Sequence, residues 1–164
     1  MARLIAFILA VTFAGPALAD WMEYTYADFS FTVHFPAAPK IESVTYRAPN
    51  GRSLEARVYS VTQDTGTFTL TIADVPDGGS DENALVTHAV NMLTEGGAVK
   101  LDISHRIRST YGRQLAVAGG NGSYSYVAVF YYKKRLYQIE GKAFVAGGQA
   151  EVDAMIFQQS LDFT

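Results

Sequence analysis

Alternating hydrophobic and polar residues predict a first group of antiparallel strands early in the chain. Within residues 29–35, Phe29, Phe31, Val33 and Phe35 share one face, which is typical of a half-buried strand. The preceding residues 20–26 are interpreted as a short aromatic lead-in to this strand. Three more strands are predicted at residues 41–48, 52–61 and 67–74, the first two forming a hairpin around Asn50-Gly51.

The hydrophobic period then changes to that of a helix. Ser80 or Asp81 is a suitable N-cap, and the glycine pair Gly96-Gly97 is a typical stop signal. Between them, apolar residues recur at helical spacing at Leu85, Ala89, Met92 and Leu93.

Strand alternation resumes after this helix and predicts a second antiparallel group. One strand places an apolar row on a single face, formed by Val99, Leu101, Ile103, His105 and Ile107. Further strands are expected at residues 113–118, 123–132 and 136–144, with a hairpin tip at 133–135. A last helix is predicted at residues 149–160, with Val152, Met155 and Ile156 along one side.

The order of these elements favours one α+β domain over residues 20–164. Runs of strands interrupted by single helices are typical of an antiparallel sheet rather than a parallel α/β fold. We therefore expect a sheet of about six to seven strands flanked by two main helices. No change in composition divides the chain, and no repeat of fixed period is present.

Residues 1–19 have the pattern of a cleaved signal peptide. Arg3 provides a positive start, residues 4–13 form a short apolar run, and Ala17-Leu18-Ala19 is a small-x-small cleavage pattern. The run is too short for a membrane-spanning helix, which needs about 20 apolar residues. We expect cleavage after Ala19, a periplasmic or secreted location, and no stable membrane insertion of the mature chain.

Composition narrows the classes of function. The 164 residues are 49% hydrophobic and 18% charged, which is a globular composition, and no cysteine is present. Disulfides, thiolate metal sites, cysteine nucleophiles and lipidation at an N-terminal cysteine are therefore excluded. The net charge of −3 leaves no basic surplus for phosphates, so nucleic acid is not an expected partner.

Aromatic and glycine landmarks along the mature chain resemble those of the PsbP-like family, including small exported bacterial proteins of unknown function. The opening with Trp21, Tyr24 and Phe29-Ser-Phe31, the turn Tyr111-Gly112-Arg113 and the ending Phe157-Gln-Gln-Ser160-Leu carry the resemblance. It implies an antiparallel sheet flanked by helices, in a family of mostly accessory or binding proteins. Plant members stabilise the oxygen-evolving complex of photosystem II and a nuclear relative binds a small GTPase, roles that do not transfer here. No functional residue is carried over from the family.

Three histidines, His34, His88 and His105, are the candidates for catalysis. They lie far apart in the sequence and lack the spacing of metal ligands, so neither a metal site nor a cofactor is expected. A hydrolase would have to combine one of them with distant carboxylates.

Two charged clusters are assigned to turns. Asp74, Asp77, Asp81 and Glu82 surround Gly78-Gly79 without the spacing of a calcium loop, and we interpret them as loop and helix-cap acids. Lys133-Lys-Arg135 is interpreted as a solvated hairpin tip; together with Arg106, Arg108 and Arg113 it could form a small positive patch.

A group of tyrosines is the remaining candidate for binding. They either complete the core or line a groove for a ligand, and the members are Tyr124, Tyr126, Tyr131, Tyr132 and Tyr137. The first hypothesis is an exported, non-enzymatic accessory or binding protein that contacts a partner protein or small ligand through its sheet or this hairpin. The alternative is the histidine-based hydrolase.

Overall fold

The computed structural model describes residues 21–76 and 81–164. The predicted signal peptide and the loop residues Asp77, Gly78, Gly79 and Ser80 lie outside the described residues. The described chain forms two helices and ten strands: β1 Met22–Tyr26, β2 Phe31–Phe35, β3 Lys40–Arg47, β4 Ser53–Gln63, β5 Gly66–Asp74, α1 Glu82–Leu93, β6 Gly97–Ile107, β7 Thr110–Gly119, β8 Tyr124–Tyr132, β9 Arg135–Ala143, α2 Gly148–Gln159 and β10 Asp162–Phe163.

Seven strands form the large sheet, in the order β3-β4-β5-β9-β8-β7-β6. All its neighbouring strands pair antiparallel, which confirms the predicted α+β class. The seven strands match the upper end of the expected range of six to seven. Strands β3–β5 form one meander and β6–β9 another, so each consists of strands that follow one another along the chain. The two meanders join where β5 pairs with β9.

A second, small sheet of β1, β2 and β10 was not predicted. The lead-in is a strand, β1, whose residues pair with β2 from Met22 opposite Phe35 to Tyr26 opposite Phe31. Strand β10 at the end of the chain pairs with the other side of β2. Phe29 lies in a 3-10 turn, Ala27–Phe29, rather than in the strand, because the following Ser30 adopts a left-handed conformation with φ of 54°.

The small sheet and α2 cover one side of the large sheet, here called the α2 face. Between them lies an aromatic core, into which Trp21, Tyr24 and Tyr26 pack from the edge as the sequence suggests. Its buried members are Phe31, Val33, Phe35, Tyr59, Val61, Phe68, Leu70, Ile72, Ala128, Phe130, Tyr137, Ile139, Phe157, Leu161 and Phe163.

Helix α1 packs on the opposite side, the α1 face, over an aliphatic core. Asp81 caps the helix as expected, its carboxylate accepting a hydrogen bond from the Asn83 backbone N–H at 2.9 Å. Met92, expected on the packed side, is 48% exposed, because the helix touches the sheet along a narrow stripe. The buried members of this core are Tyr46, Ala48, Leu54, Ala56, Ala73, Val75, Leu85, Ala89, Val90, Leu115, Val117, Val127, Val129 and Leu136.

Helix α2 does not pack on the sheet through the apolar side that the sequence predicts. Val152 and Ile156 are each 41% exposed, whereas Ala154, Phe157 and Gln158 are buried. The reason is Gly141 on β9, where a Cβ atom would overlap the backbone of Ala154. This missing side chain allows the helix to approach the sheet closely and sets its rotation.

Strand β6 departs from the predicted single apolar row. The register of its pairing with β7 shifts between Val99 and Leu101, so Lys100 is an extra residue in the strand. Val99 therefore lies opposite Val117 on the α1 face, while Leu101 and Ile103 lie on the α2 face beside Ala116 and Gln114. All three apolar side chains remain exposed, because neither of the two described helices covers this end of the sheet.

Candidate binding surface on the large sheet

The three histidines occupy three different elements and contact different partners. His34 on β2 is exposed, with Nε2 3.3 Å from an oxygen of Glu23. His88 on α1 has Nε2 3.0 Å from the carbonyl oxygen of Arg47. His105 on β6 packs against the Phe130 ring, and burial lowers the pKa of its imidazole. They are not brought together, and the described residues contain no group of three histidines or carboxylates that could hold a metal.

The acidic residues that the structure describes near the 77–80 loop have structural partners. The Asp74 carboxylate accepts a hydrogen bond from Arg135 Nε at 2.7 Å and pairs with it as an ion pair. Asp81 caps α1, and Glu82 lies in the first turn of that helix. Asp81 and Glu82 agree with the assignment to helix-cap acids, whereas Asp74 ends strand β5 and is held in an ion pair rather than in a loop.

The predicted tyrosine cluster divides between the two sides of the sheet. Tyr137 is completely buried and its hydroxyl donates to the Phe29 carbonyl at 2.7 Å; burial raises the pKa of Tyr137 to about 12. Tyr132 stacks on Phe163, with ring centroids 4.4 Å apart. Tyr131 is partly buried against the aliphatic core on the α1 face. These three tyrosines therefore belong to the packing of the two cores.

Tyr124 and Tyr126 form a second, half-buried pair in the cluster, outside the two cores. Their ring centroids are 5.4 Å apart, and the Tyr126 hydroxyl donates to Glu151 on α2 at 2.9 Å. Burial and the Glu151 carboxylate together raise the pKa of Tyr126 to about 12. A shallow hollow of about 300 Å³ opens beside this contact, lined by Tyr126, Gly147, Gly148, Glu151, Val152 and Met155.

The basic residues of the predicted positive patch mostly hold the structure together. Lys133 Nζ donates to the Thr164 carbonyl at 3.0 Å and to the Ser30 hydroxyl at 3.1 Å. Arg108 forms a two-pronged ion pair with Asp162 on β10. Arg113 binds Asp102 on the neighbouring strand β6 in the same manner. These contacts fix the small sheet and the hairpins, and they leave less positive charge free than the sequence suggests.

A different arginine, Arg57, stands out on the α2 face of β4. Its guanidinium lies over the Phe29 ring, 4.4 Å from the ring centroid, and Arg135 lies 4.9 Å from the same centroid. Arg135 is occupied by Asp74, but Arg57 has no ion pair or hydrogen-bonding side chain within the described residues. The ring contact positions the Arg57 guanidinium while leaving its N–H groups available.

Arg57 borders a polar hollow of about 420 Å³ on strands β3, β4 and β5, here called the Arg57 hollow. Ser43 lies opposite Arg57 in the strand register, and Thr45 lies opposite Glu55. The residues that line the Arg57 hollow are Ser43, Val44, Thr45, Glu55, Ala56, Arg57 and Asp74. The hollow therefore offers hydroxyl groups, one unpaired guanidinium and the Glu55 carboxylate, a set suited to hydrogen bonds and ion pairs with a polar partner.

Sequence reasoning did not identify Arg57 because it belongs to no motif. The available signal was its position in an alternating strand, where it faces the same side as the buried Tyr59 and Val61. A charged residue in such a row indicates that the covering layer ends near it. Where the small sheet ends above β4 is visible only in the structure.

Comparisons with known proteins support the fold. No family model matches the chain, and no curated protein matches it in sequence. The solution structure of cyanobacterial PsbP from Synechocystis sp. PCC 6803 is similar over 94% of this chain and 99% of that one, with a TM-score of 0.58 and 10% identity. A protein of unknown function from Pseudomonas aeruginosa matches more weakly over 75% of this chain and 82% of its own, with a TM-score of 0.40 and 10% identity.

The chain therefore has the α+β architecture of the PsbP-like fold, as the aromatic landmarks of the sequence suggest. Cyanobacterial PsbP is one solved structure that it resembles over nearly its whole length. At 10% identity this likeness establishes the fold and assigns no residue a function. Among the described residues, no helix is both long and apolar enough to span a bilayer.

Proposed function

We propose that the chain is an exported, non-catalytic accessory protein that contacts a partner protein through the Arg57 hollow. The observation that supports this proposal is the Arg57 guanidinium, which is held over Phe29 and has no carboxylate partner among the described residues. An acidic side chain of the partner would complete the arrangement with a two-pronged hydrogen bond, the geometry that arginine forms with carboxylates.

The character of the hollow favours a protein over a small molecule. Small-molecule sites are mostly apolar and enclose most of the ligand surface. The Arg57 hollow is shallow and polar, and Arg57 and Glu55 are both exposed. An exposed ion pair contributes only about 0–1 kcal/mol, so a useful affinity requires a wider contact. The adjacent edge of β3, which pairs with no other described strand on its outer side, can supply that contact area.

The hydrolase alternative receives no geometric support from the described residues. The carboxylate nearest a histidine is Glu23, which meets His34 on the exposed surface of the small sheet. His105 and His88 contact a phenyl ring and a backbone carbonyl, respectively. General acid–base catalysis requires a histidine positioned in a cleft beside a group that it can deprotonate.

Export is part of the proposal and depends on the sequence of residues 1–19. Intact mass spectrometry of protein recovered from the periplasm or medium should give a chain that begins at Asp20. A chain that still carries Met1 would contradict this part of the proposal.

Site-specific photo-crosslinking in cells of the source organism tests the partner contact. A benzophenone amino acid replaces Ser43 in the hollow, or Asn91 on α1 as a control on the opposite face. We expect a discrete adduct from position 43, mapped by mass spectrometry to an acidic segment of the partner, and none from position 91.

The role of Arg57 is tested in the same experiment with charge-reversed variants. Arg57→Glu should abolish the adduct, because it opposes the partner's carboxylate with a like charge. Lys142→Glu makes the same change in net charge on the α1 face of β9 and should leave the adduct unchanged. Equal adduct formation by both variants, or adducts from both labelled positions, would refute the proposed surface.

A further inference from the structure

Within the described part of the chain, strand β6 forms a long unpaired edge of the large sheet. It is the last strand in the sheet order and pairs with β7 along one side. Its large apolar side chains Val99, Leu101 and Ile103 are 46%, 40% and 45% exposed. Free backbone groups at an edge pair readily with another strand, and proteins usually cover or shorten such edges. No described element covers the 11 residues of β6, and the bulge at Lys100 leaves residues 101–107 as a regular strand.

The regular part of β6 has a self-complementary sequence. After the bulge at Lys100, the residues of β6 alternate between the two faces. The α2 face carries Leu101, Ile103, His105 and Ile107. The α1 face carries Asp102, Ser104 and Arg106. The charges Asp102 and Arg106 stand at equal distances in sequence on either side of Ser104. An antiparallel pair centred on Ser104 would therefore bring opposite charges together twice.

We propose that β6 pairs antiparallel with β6 of a second copy of this chain, with the two-fold axis at Ser104. Asp102 then lies opposite Arg106 of the second copy, and Leu101 lies opposite Ile107. Ile103 lies opposite His105, and these contacts cover the exposed apolar row. The two seven-stranded sheets become one continuous sheet, an isologous interface in which each contact occurs twice.

The charges on the α1 face favour this register over its neighbours. Arg106 lies over the Tyr111 ring at 5.9 Å and has no ion pair within the described residues, so it is available to the second copy. Asp102 already binds Arg113 and would receive Arg106 on its other side. Moving the axis to Ile103 would oppose Lys100 and Arg106, and moving it to His105 would place Arg106 opposite Ser104, without a carboxylate partner. Like charges directly opposite one another destabilise a strand pair.

A single cysteine provides the first test, because the natural chain has none. Paired residues of antiparallel strands have Cα atoms about 4.5–5.5 Å apart, within the range of a disulfide. Ser104→Cys should form a disulfide-linked dimer under mild oxidation. Ser43→Cys, an exposed serine on the other edge strand β3, is the matched control and should crosslink far more slowly. Equal crosslinking of the two variants would overturn the proposal.

A charge exchange across the interface provides the second test. Arg106→Asp and Asp102→Arg should each weaken self-association at least about tenfold, because each opposes like charges twice across the axis. An equimolar mixture of the two variants restores both opposite pairs and should form a heterodimer. Sedimentation over about 1 μM to 1 mM measures these equilibria, and circular dichroism checks the fold of each variant. A wild-type chain that stays monomeric throughout, or a mixture that does not associate, would overturn the proposal.

Discussion

The two sides of the large sheet are stabilised by different means. On the α1 face, one 12-residue helix covers a core that consists mainly of alanine, valine and leucine side chains. On the α2 face, a helix and a three-stranded sheet cover a core dominated by phenylalanine and tyrosine. A buried aromatic ring removes about 150–250 Å² from water, so the α2 face buries more apolar surface with a similar number of residues.

The difference also concerns how the two covering layers are assembled. Helix α1 follows β5 directly in the chain, whereas the cover of the α2 face combines β1 and β2 from the start with α2 and β10 from the end. Strands β2 and β10 pair through Phe31 and Phe163, both of which are buried in the aromatic core. The aromatic side therefore depends on contacts between the two ends of the chain, whereas α1 packs on β7, β8 and β9, the strands that follow it in the sequence.

Truncating one large side chain on each side is the strongest test of this comparison. Phe157 contacts Trp21, Phe35 and Phe68, so Phe157→Ala should lower the free energy of unfolding by about 3–5 kcal/mol. Leu85→Ala under α1 should cost about 2–4 kcal/mol. Urea unfolding measures both values, with Phe157→Leu as a milder substitute if the alanine variant does not fold. A larger loss for Leu85→Ala would reverse the ranking of the two sides.

The close approach of α2 to β9 gives the next largest effect. In Gly141→Ala, the new Cβ would overlap the Ala154 backbone and force the helix away from the sheet. The expected loss is about 1–3 kcal/mol. Gly120→Ala is the control, since a Cβ at that position meets nothing within 4 Å, and its effect should stay within about 0.5 kcal/mol. Similar losses of stability in the two variants would show that the packing of α2 does not require a glycine at position 141.

The smallest effect concerns the ion pair that fastens β10 to the β6–β7 turn. The hydrogen bond from Arg108 lowers the pKa of Asp162 below its usual value of 3.8. The pairing therefore stabilises the fold above that value, and this contribution disappears as the pH falls through the lowered pKa. The wild type should melt slightly above Asp162→Asn at pH 7, and the gap should close on acidification.

Asp28→Asn serves as the control for this pH series, because Asp28 lies in the same region and forms no ion pair through its side chain within the described residues. Its melting temperature should follow that of the wild type at every pH. A gap between wild type and Asp162→Asn that persists at pH 2 would contradict the assigned cause.

Much of the fold was predictable because it consists of hairpins between consecutive strands. The hairpin at Asn50-Gly51 and the tip at Lys133-Lys134 both appear where the sequence places them, and Gly51, Lys133 and Lys134 adopt positive φ. The small sheet escaped prediction because two of its strands are short and β10 pairs with a strand about 130 residues earlier in the chain. Local patterns carry no signal of such pairing.

The candidate site was less predictable than the fold. Alternation in β6 indicates which residues share a face, but it cannot reveal that neither described helix covers Leu101 and Ile103. The bulge at Lys100 also has no signature in the sequence and moves Val99 to the other face. The position of Arg57 under the Phe29 ring depends on the 3-10 turn at Ala27–Phe29, which the strand pattern of residues 29–35 does not predict.

The pairing of β5 with β9 has a consequence for how the protein folds. Each meander can form from neighbouring strands, but this seam joins residues far apart in the chain, ending with Asp74 and Arg135, which are separated by 61 positions. Closing so long a loop costs conformational entropy, and this cost arises in the single step in which β5 pairs with β9. We therefore expect the two meanders to form first and their union to limit the folding rate, which φ-values at Leu70 and Ile139 across the seam would measure.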